Sequence, residues 1–326
     1  MTEPQNEAWD LVQEKVGLLR QEIATVVVGQ EAIVEQMLVA LLCRGHCLII
    51  GVPGLAKTLL VSTLGRVLGL KFHRIQFTPD LMPMDIIGSE ILQERDGERE
   101  FEFHRGPIFA NLILADEINR TPPKTQAALL EAMQEKQVSA AGVSMPLEEP
   151  FVVYATQNPI EHEGTYPLPE AQLDRFFFCL NIGYPSMAEE REIVLNTTRG
   201  EEPEAKQVVN PDEVMQLQDA VHQVPVPDHV LEYVLKLVSA TRPDADGADE
   251  HVRKYVDWGG GPRASQNLTR AAKALALLRG SAAASVAEVQ EVARPVLRHR
   301  IIPNYNATGD GVTVEQIIDK LLEREF

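Results

Sequence analysis

The stretch "GVPGLAKT", Gly51 to Thr58, decides how this sequence is interpreted. It follows the apolar run "CLII" and precedes a helical pattern, which is the strand–turn–helix context of a phosphate-binding loop. Glycines in such a loop let backbone N–H groups turn towards phosphate oxygens at the start of a helix, where the dipole favours anions. The residues predicted to bind a nucleotide here are Gly51, Val52, Pro53, Gly54, Leu55, Ala56, Lys57, Thr58 and Leu59.

Ala56 departs from the usual pattern G-x-x-x-x-G-K-[ST], which has a glycine directly before the lysine. A methyl group is tolerable at this position if the φ angle of Ala56 is negative. The assignment of a phosphate-binding loop therefore assumes a negative φ at Ala56. We expect Lys57 to reach the outer phosphates and the hydroxyl of Thr58 to hold Mg²⁺. By itself the loop leaves an ordinary strand–turn–helix connection as a serious alternative.

The apolar run "NLILA" ends in two acidic residues, Asp116 and Glu117. On a strand beside the phosphate loop, Asp116 would lie at Mg²⁺ and its hydration shell, and Glu117 could polarise the water that attacks the γ-phosphate. Two surface acids at a strand end are the alternative. The occurrence of this pair downstream of a phosphate loop, at strand spacing, favours the catalytic interpretation.

The next apolar run, "FVVYATQN", ends in Asn158, whose neutral amide could orient the attacking water without adding charge. An asparagine that caps the exit turn of the strand explains this residue equally well. Arg175 stands directly before a further apolar run, where its guanidinium could reach a γ-phosphate held by a neighbouring subunit.

Arg263 falls in the first turn of a predicted helix, after Pro262 and a run of three glycines. A cation at that end opposes the helix dipole, which suggests that an anion compensates its charge. A solvated arginine at little energetic cost is the alternative.

Five short apolar runs indicate buried strands, because they are uniformly apolar and lack the alternation of a strand with one wet face. Helical patterns lie between most of them, which is typical of an α/β domain built on a parallel sheet. The runs are "CLIIG", "KFHRIQF", "NLILADE", "FVVYATQN" and "RFFFCLNI". Two further stretches, one containing Asp96-Gly97 and one around Gly142, predict inserted β-hairpins.

After Pro185 the apolar runs give way to helical patterns, so two domains are predicted. Residues 1–185 form the α/β domain, and residues 186–326 form a small all-helical domain.

The 326 residues carry a formal net charge of −18, which opposes unspecific binding to a nucleic-acid backbone. Three cysteines are too few for a disulfide framework, and no apolar run approaches the roughly 20 residues that cross a bilayer. No signal-peptide pattern opens the sequence. These features predict a cytoplasmic protein with no membrane span.

Taken together, "GVPGLAKT", "LADEINR", "ATQNP", "TYPLPEAQLDRF", "PRAS" and "VLRHRI" resemble the MoxR family of AAA+ ATPases over nearly the whole chain. The family commonly has an alanine before the lysine of its phosphate loop. The resemblance implies a Walker A motif at Gly51 to Thr58, a Walker B motif at Asp116 and Glu117, sensor 1 at Asn158, an arginine finger at Arg175, sensor 2 at Arg263, and an adenine-proximal segment at Val28, Gly29 and Gln30.

The fold implied by the resemblance is an AAA+ P-loop domain, α/β with a five-stranded parallel sheet, followed by a helical lid. The two hairpins correspond to the helix-2 insert and the pre-sensor-1 insert of this clade. The family usually has a sequence closer to "GASPRA" where this chain has "GGGPRA", and the extra glycines loosen the loop before Arg263. The sequence does not say whether Arg263 serves its own subunit or the next one.

The implied activity is hydrolysis of ATP with Mg²⁺ in a homo-oligomeric, hexameric ring, with Arg175 acting in trans. MoxR-type proteins resemble chaperones that remodel or mature other proteins, often with a partner that carries a von Willebrand factor A domain. A chelatase-type motor subunit for metal insertion, a nucleic-acid-dependent motor and a regulatory scaffold with slow turnover are the alternatives. The nucleic-acid motor ranks low because the first hairpin has more acidic than basic residues.

Overall fold

The computed structural model describes residues 3–95, 98–140, 142–161, 164–198, 200 and 203–324. Its strands in chain order are β1 (Cys47–Ile50), β2 (Phe72–Gln76), β3 (Gly88–Arg95), β4 (Glu98–Arg105), β5 (Leu112–Asp116), β6 (Gln137–Ala140), β7 (Val143–Pro146), β8 (Val152–Gln157), β9 (Phe178–Asn181), β10 (Val256–Trp258) and β11 (Ile302–Pro303). Its helices are α1 (Glu3–Ala24), α2 (Glu31–Leu42), α3 (Lys57–Val67), α4 (Pro83–Ile87), α5 (Pro123–Glu135), α6 (Glu170–Leu173), α7 (Met187–Thr197), α8 (Pro211–Gln223), α9 (Asp228–Ala240), α10 (Glu250–Tyr255), α11 (Pro262–Leu278), α12 (Val286–Leu297), α13 (Tyr305–Asp310) and α14 (Val314–Leu322). Within these ranges, none of the helices combines the length and the apolarity that crossing a bilayer requires.

The five predicted strands form one parallel sheet in the order β2-β5-β8-β1-β9. The prediction that all five are buried is wrong for β2, which is an end strand of the sheet and in which only Ile75 is buried. Every residue of β5 is buried, and so is every residue of β8 except the last. Both faces of these strands are therefore covered, which explains why their sequences do not alternate. The predicted α/β fold around a five-stranded parallel sheet is confirmed.

Alternate residues of β5 face two separate apolar clusters. Leu112 and Leu114 belong to the cluster that contains side chains of α1, α2, α3 and most of the C-terminal helices. Ile113 and Ala115 belong to the cluster built with α4 and α5. The division follows from the two-residue period of a strand, and it places helices on both sides of the sheet.

The two predicted hairpins are present as separate two-stranded antiparallel sheets, β3–β4 and β6–β7. The turn predicted at Asp96-Gly97 lies outside the described residues, although the strands that lead to it pair throughout. In the second hairpin, Gly142 has a φ of 76°, a left-handed conformation that glycine adopts without steric cost.

The C-terminal region consists of α7 to α14 together with one short antiparallel pairing between β10 and β11. This pairing was not predicted, because strands of three and two residues are too short to show a period. One apolar cluster includes residues of the sheet and of α8, α9, α11 and α12. The boundary between residues 185 and 186 stays a prediction.

His46, directly before β1, is a buried histidine that joins three parts of the α/β region. Its Nε2 is 3.1 Å from the carbonyl oxygen of Met133 in α5, and its Nδ1 accepts from the backbone N–H of Val153 in β8, at 3.0 Å. Burial lowers the pKa of His46 from 6.5 to about 4. Protonation would place a second hydrogen on Nδ1, where the Val153 N–H already points, so the neutral ring is the one that fits.

We predict that His46 makes the protein less stable as the pH falls from 6.5 towards 4. The folded-state pKa lies below the unfolded one, so the unfolded chain takes up the proton first, and the contribution of His46 is complete only above pH 6.5. Between pH 7.5 and 5 the loss is about 2 kcal/mol. Urea denaturation at the two pH values measures it.

In His46→Asn, an amide oxygen can still accept from Val153, but no proton can be taken up, so the stability difference between the two pH values should shrink by that amount. His229→Asn, at an exposed position of α9, is the matched control and should keep the difference. An unchanged difference in His46→Asn would refute the assignment.

Candidate nucleotide site

The predicted phosphate loop connects β1 to α3, and Lys57 is the first residue of that helix. No side chain caps the start of α3, and its first turn contains no acidic residue. The first N–H groups of the helix therefore have no carboxylate or hydroxyl partner from a capping side chain, and the helix dipole adds positive potential there. These are the local requirements of a site for phosphate oxygens.

Ala56 has a φ of 53° and a ψ of 24°, which places it in the left-handed region. The expectation that Ala56 has a negative φ was wrong. For a residue with a Cβ this conformation costs roughly 1–2 kcal/mol. The loop therefore has the backbone shape of the glycine-containing pattern, and alanine occupies it with some strain, as backbone at functional sites often does.

The side chain of Lys57 turns back onto the loop. Its Nζ donates to the carbonyl oxygens of Gly51, at 2.5 Å, and Val52, at 3.3 Å. Burial lowers its pKa, and the charges of Asp116 and Glu117 oppose that shift. Lys57 is thus close enough to both acids to interact with them electrostatically.

Asp116 is the last residue of β5 and is buried. Its Oδ1 accepts from the hydroxyl of Thr156 at 2.6 Å, and its Oδ2 accepts from Nε and Nη2 of Arg74 at 3.0 and 2.6 Å. Arg74 lies on β2, the strand that pairs with β5. A guanidinium therefore neutralises the carboxylate that was predicted to face Mg²⁺.

Glu117 follows β5 with a φ of 58°, an uncommon conformation for a residue other than glycine. Its N–H donates to Thr156 Oγ1 at 2.8 Å, so one threonine hydroxyl orients both acids. Its Oε2 accepts from Gln76 Nε2 at 3.1 Å and from Arg120 Nη1 at 3.0 Å. The carboxylate is held between two donors near the edge of the sheet.

Asn158 follows β8 and is buried. Its Oδ1 accepts from the N–H of Ile160 at 3.1 Å, as expected of a residue that caps the exit turn. It also lies beside the phosphate loop, because the N–H of Gly51 donates to the carbonyl of the preceding Gln157 at 3.3 Å. The two interpretations of Asn158 are therefore compatible, since its oxygen forms the turn and its NH₂ group has no hydrogen bond to the part of the chain that the structure describes.

A cavity of about 250 Å³ adjoins the loop. Val28 and Gln30, from the segment matched to adenine, line it, and so do Gly54 and Leu59 of the loop. Gly29, between the first two, has a φ of 70° and faces the Glu189 side chain. The remaining lining residues are Val26, Val27, Leu55, Ala56, Leu60, Pro185, Ile193, Asn196, Thr197 and Pro203. A largely apolar wall of this size suits a purine base.

A Mg²⁺ ion fits the residues at this edge. The carboxylate of Asp116 and the hydroxyl of Thr58, the second residue of α3, are the oxygen donors that this ion prefers. Within the part of the chain that the structure describes, no three His, Cys, Asp or Glu side chains form a group that could hold a metal. Two protein oxygens agree with the usual Mg²⁺ arrangement, in which phosphates and water complete the shell.

The two predicted catalytic arginines lie elsewhere. Arg175 precedes β9 by three residues, so it lies at the beginning of a strand whose neighbour β1 ends at the phosphate loop. Its Nη1 donates to the carbonyl of Leu130 at 3.4 Å. Arg263 Nη1 is 3.1 Å from Asp174 Oδ2, which supplies the compensating anion expected at the start of α11. The structure thus gathers the loop, Asp116, Glu117 and Asn158 at one edge, and the arginines at the opposite edge.

Several contacts of the site were not predicted. Thr156, whose hydroxyl binds both acids, lies in the run "FVVYATQN" two residues before Asn158. Arg74 and Gln76 are two residues apart in "KFHRIQF", which places them on one face of a strand that ends beside Asp116, and that spacing was the available signal. Arg120 follows Glu117 by three residues. The contribution of α7 to the cavity had no signal, because it depends on packing between distant segments.

Comparison with known proteins bears on the family and the fold of this chain. Residues 46–178 match the family model "ATPase family associated with various cellular activities (AAA)", and residues 248–321 match the AAA lid domain. The chain is 48% identical to the chaperone MoxR1 of Mycobacterium tuberculosis over 93% of this chain and 79% of that protein. It is 42% identical to YeaC of Bacillus subtilis over 94% and 93% of the two chains. A crystal structure of a proposed ATPase from Cytophaga hutchinsonii superimposes with a TM-score of 0.92 at 41% identity, covering 98% of this chain and 97% of that one.

The left-handed conformation of Ala56 predicts that Ala56→Gly stabilises the protein. Glycine removes the steric cost of the positive φ but adds entropy to the unfolded chain, so the net gain should be about 0.5–1 kcal/mol. The midpoint of urea denaturation measures it. Ala127→Gly, at an exposed position inside α5, is the control and should destabilise by roughly 1 kcal/mol. A loss of stability in both variants would contradict the strain at Ala56.

Proposed function

The chain belongs to the MoxR family of AAA+ ATPases, and from this premise we propose that it hydrolyses ATP to ADP and phosphate with Mg²⁺, in order to remodel or mature other proteins. One observation carries the proposal. Lys57, Asp116, Glu117 and Asn158 meet at one edge of the sheet, beside a helix start whose N–H groups no side chain caps. A strand–turn–helix connection without a ligand would not require these four side chains to lie close together.

Each residue has a role that its contacts support. Lys57 exchanges its bonds to the loop carbonyls for bonds to the outer phosphates, which are better partners for an ammonium group. Glu117, held by Gln76 and Arg120, orients the attacking water and receives its proton. The NH₂ group of Asn158 would donate to the water or the γ-phosphate. Bound Mg²⁺ would neutralise phosphate charge between Asp116 and Thr58.

We propose that the active form is a homo-oligomer, a hexameric ring, in which Arg175 completes the site of the next subunit. The position of Arg175 at the start of β9 supports this, because the loop of its own subunit follows the far end of β1. Arg263 contacts the residue beside Arg175, and this supports a role for it in the same neighbouring site. The two arginines would then stabilise negative charge on one transferring phosphoryl group.

The proposed work is chaperone-like remodelling with a partner that carries a von Willebrand factor A domain. The similarity to a relative named as a chaperone supports the first part. The β3–β4 hairpin is the proposed client contact. Its paired residues Leu92 and Phe101 are exposed, with 70% of Phe101 accessible, although both are apolar. We place this work in the cytoplasm.

A nucleic-acid-dependent motor is disfavoured by charge. Residues 88–105, from the first residue of β3 to the last of β4, contain six acidic and three basic residues, whereas a hairpin that follows a phosphate backbone needs an excess of bases. A chelatase-type motor uses the same ATPase parts, so the identity of the partner distinguishes it from a remodelling chaperone.

We predict different defects for two substitutions in the site. Glu117→Gln should bind ATP normally and lose hydrolysis about 10²–10⁴-fold, because it removes the proton acceptor and keeps the shape. Lys57→Ala should weaken ATP binding itself. Steady-state phosphate release and equilibrium binding of labelled ATP measure the two effects. Glu131→Gln and Lys124→Ala, both at exposed positions of α5, are the controls. Near-normal hydrolysis in either site variant would refute the assignment.

The Glu117→Gln protein also tests the proposed partner, since it should retain ATP and with it the assembled state. Recovered from native cells with ATP present, it should bring a von Willebrand factor A domain protein that the Lys57→Ala protein does not. Recovery of nuclease-sensitive nucleic acid in its place would favour the motor.

Arg175→Ala should bind ATP but hydrolyse it about 10³–10⁵-fold more slowly, the range known for arginine fingers. Mixed with Glu117→Gln subunits, which cannot hydrolyse but carry an intact Arg175, it should regain part of its activity. Arg253→Ala, at an exposed position of α10, is the control and should hydrolyse ATP at the original rate without added subunits. Failure to recover activity at every mixing ratio would count against action in trans.

A further inference from the structure

Three consecutive residues after α12 bind β9 and the segment that leads into it. β9 is the last strand of the sheet and pairs on one side with β1. Arg298 Nη1 donates to the carbonyl of Cys179 at 2.9 Å, and His299 Nε2 lies 3.1 Å from the carbonyl of Phe176. Arg300 contacts the residues that lead into β9. The residues after α12 thus donate hydrogen bonds to backbone carbonyls of β9 and of the segment before it.

Arg300 matches all five N–H donors of its guanidinium with acceptors. Nε donates to Asp174 Oδ1 at 2.8 Å, and Nη2 donates to the carbonyls of Asp174 and Phe176 at 3.1 and 2.6 Å. Nη1 donates to the carbonyls of Phe177 and Val296, at 3.4 and 2.5 Å. Its side chain is 1% exposed. Only the planar fork of arginine can make this set of bonds, because a lysine ammonium has three donors on a single nitrogen.

These bonds fix the backbone on both sides of Arg175. Asp174 precedes it and Phe176 follows it, and Arg300 binds both. The second carboxylate oxygen of Asp174 accepts from Arg263 at 3.1 Å. One buried guanidinium therefore orients the segment that presents Arg175 and, through Asp174, also Arg263.

The charge of Arg300 is retained at neutral pH. Burial lowers the pKa of Arg300 to about 10, and the carboxylate of Asp174 opposes that shift. Arg300 and Asp174 thus form an ion pair that is buried on the arginine side. Removing one member would leave the other without its partner, which in a buried site is more costly than the pair itself.

We propose that Arg300 is a positioning residue that acts through Asp174 to aim Arg175 and Arg263 at the nucleotide site of the neighbouring subunit. This inference rests on the proposed action of Arg175 in trans. Arg300 has no hydrogen bond to the phosphate loop, Asp116 or Glu117 among its contacts. Its loss should therefore impair the next subunit and leave ATP binding by its own subunit intact.

Arg300→Lys tests the proposal, because it keeps the charge and removes the fork. We expect kcat to fall about 100-fold, the loss that a displacement of a reacting group by about 1 Å causes, while the ATP dissociation constant changes less than about threefold. Mixing with Glu117→Gln subunits should restore part of the activity, as it does for Arg175→Ala. The Arg175→Ala, Arg300→Lys double variant should be slower than Arg175→Ala by clearly less than the roughly 100-fold loss of Arg300→Lys alone, because only the part that acts through Arg263 remains.

Two further variants complete the experiment. Asp174→Asn, at a partly exposed side chain, keeps the shape and the backbone acceptors, and it should give the same rescuable loss if Arg300→Lys does not fold. Arg298→Lys is the matched control, because Arg298 contacts Cys179 inside β9 and Glu315, and neither flanks Arg175. Its activity should remain within about threefold of the original protein. Thermal unfolding followed by circular dichroism checks the fold of each variant.

The outcomes separate this inference from the proposed function. Normal hydrolysis by folded Arg300→Lys or Asp174→Asn would overturn it. A loss that Glu117→Gln subunits do not restore, while they restore Arg175→Ala, would also overturn it, because the defect would then lie in the variant's own site. If Arg175→Ala itself is not restored, action in trans fails and the inference falls with it.

Discussion

The parallel pairing of β1 with both β8 and β9 is the constraint on which the rest of the structure depends. Parallel strands all end at the same edge of a sheet, so the loop after β1, the two acids at the end of β5 and the amide after β8 meet there. The same pairing sends the residues before β9 to the opposite edge. One hydrogen-bonding pattern therefore gives the two edges at which the proposed site residues lie, and the separation of Arg175 from the phosphate loop of the same chain follows from it.

Charges at the loop edge are already paired within the chain. Arg74 neutralises Asp116, and Arg120 lies against Glu117, while Lys57 bonds to backbone carbonyls. Unpaired, a buried carboxylate such as Asp116 would carry a large desolvation cost. Binding of a phosphorylated ligand therefore exchanges one set of charge contacts for another. The free energy of binding depends on the difference between the contacts in the two states. Arg74 and Arg120, which were found only in the structure, are therefore part of the site.

The parts that the sequence predicted are those whose signals are local. β5, β8, β1 and β9 were found because each is a short apolar run in the interior of the protein, and the loop because its pattern and its strand–helix context lie within one stretch. β2 is only partly buried, and its position between two helices indicated it. The prediction of a negative φ at Ala56 was wrong because the residue type alone does not determine the backbone conformation. In this loop, Lys57 and the start of α3 hold the backbone in place. The roles of Arg74 and Arg300 were missed because their partners lie 42 and 126 residues away along the chain. Long-range contacts between polar side chains leave no periodic pattern.

The helical region meets the two edges in different ways. At the loop edge it contributes α7, none of whose residues is buried, and Ile193 and Thr197 of that helix line the cavity. At the arginine edge it contributes the end of α12, seven of whose residues are buried. A helix with few buried contacts can adjust to a ligand at low cost, whereas one in a packed core cannot. Groups that stabilise a transition state act best when they are already in place, while a base-binding wall tolerates adjustment. The division of packing between α7 and α12 therefore supports the proposal that the chain closes on its own nucleotide with its loosely packed side and presents Arg175 and Arg263 to its neighbour from a rigid support.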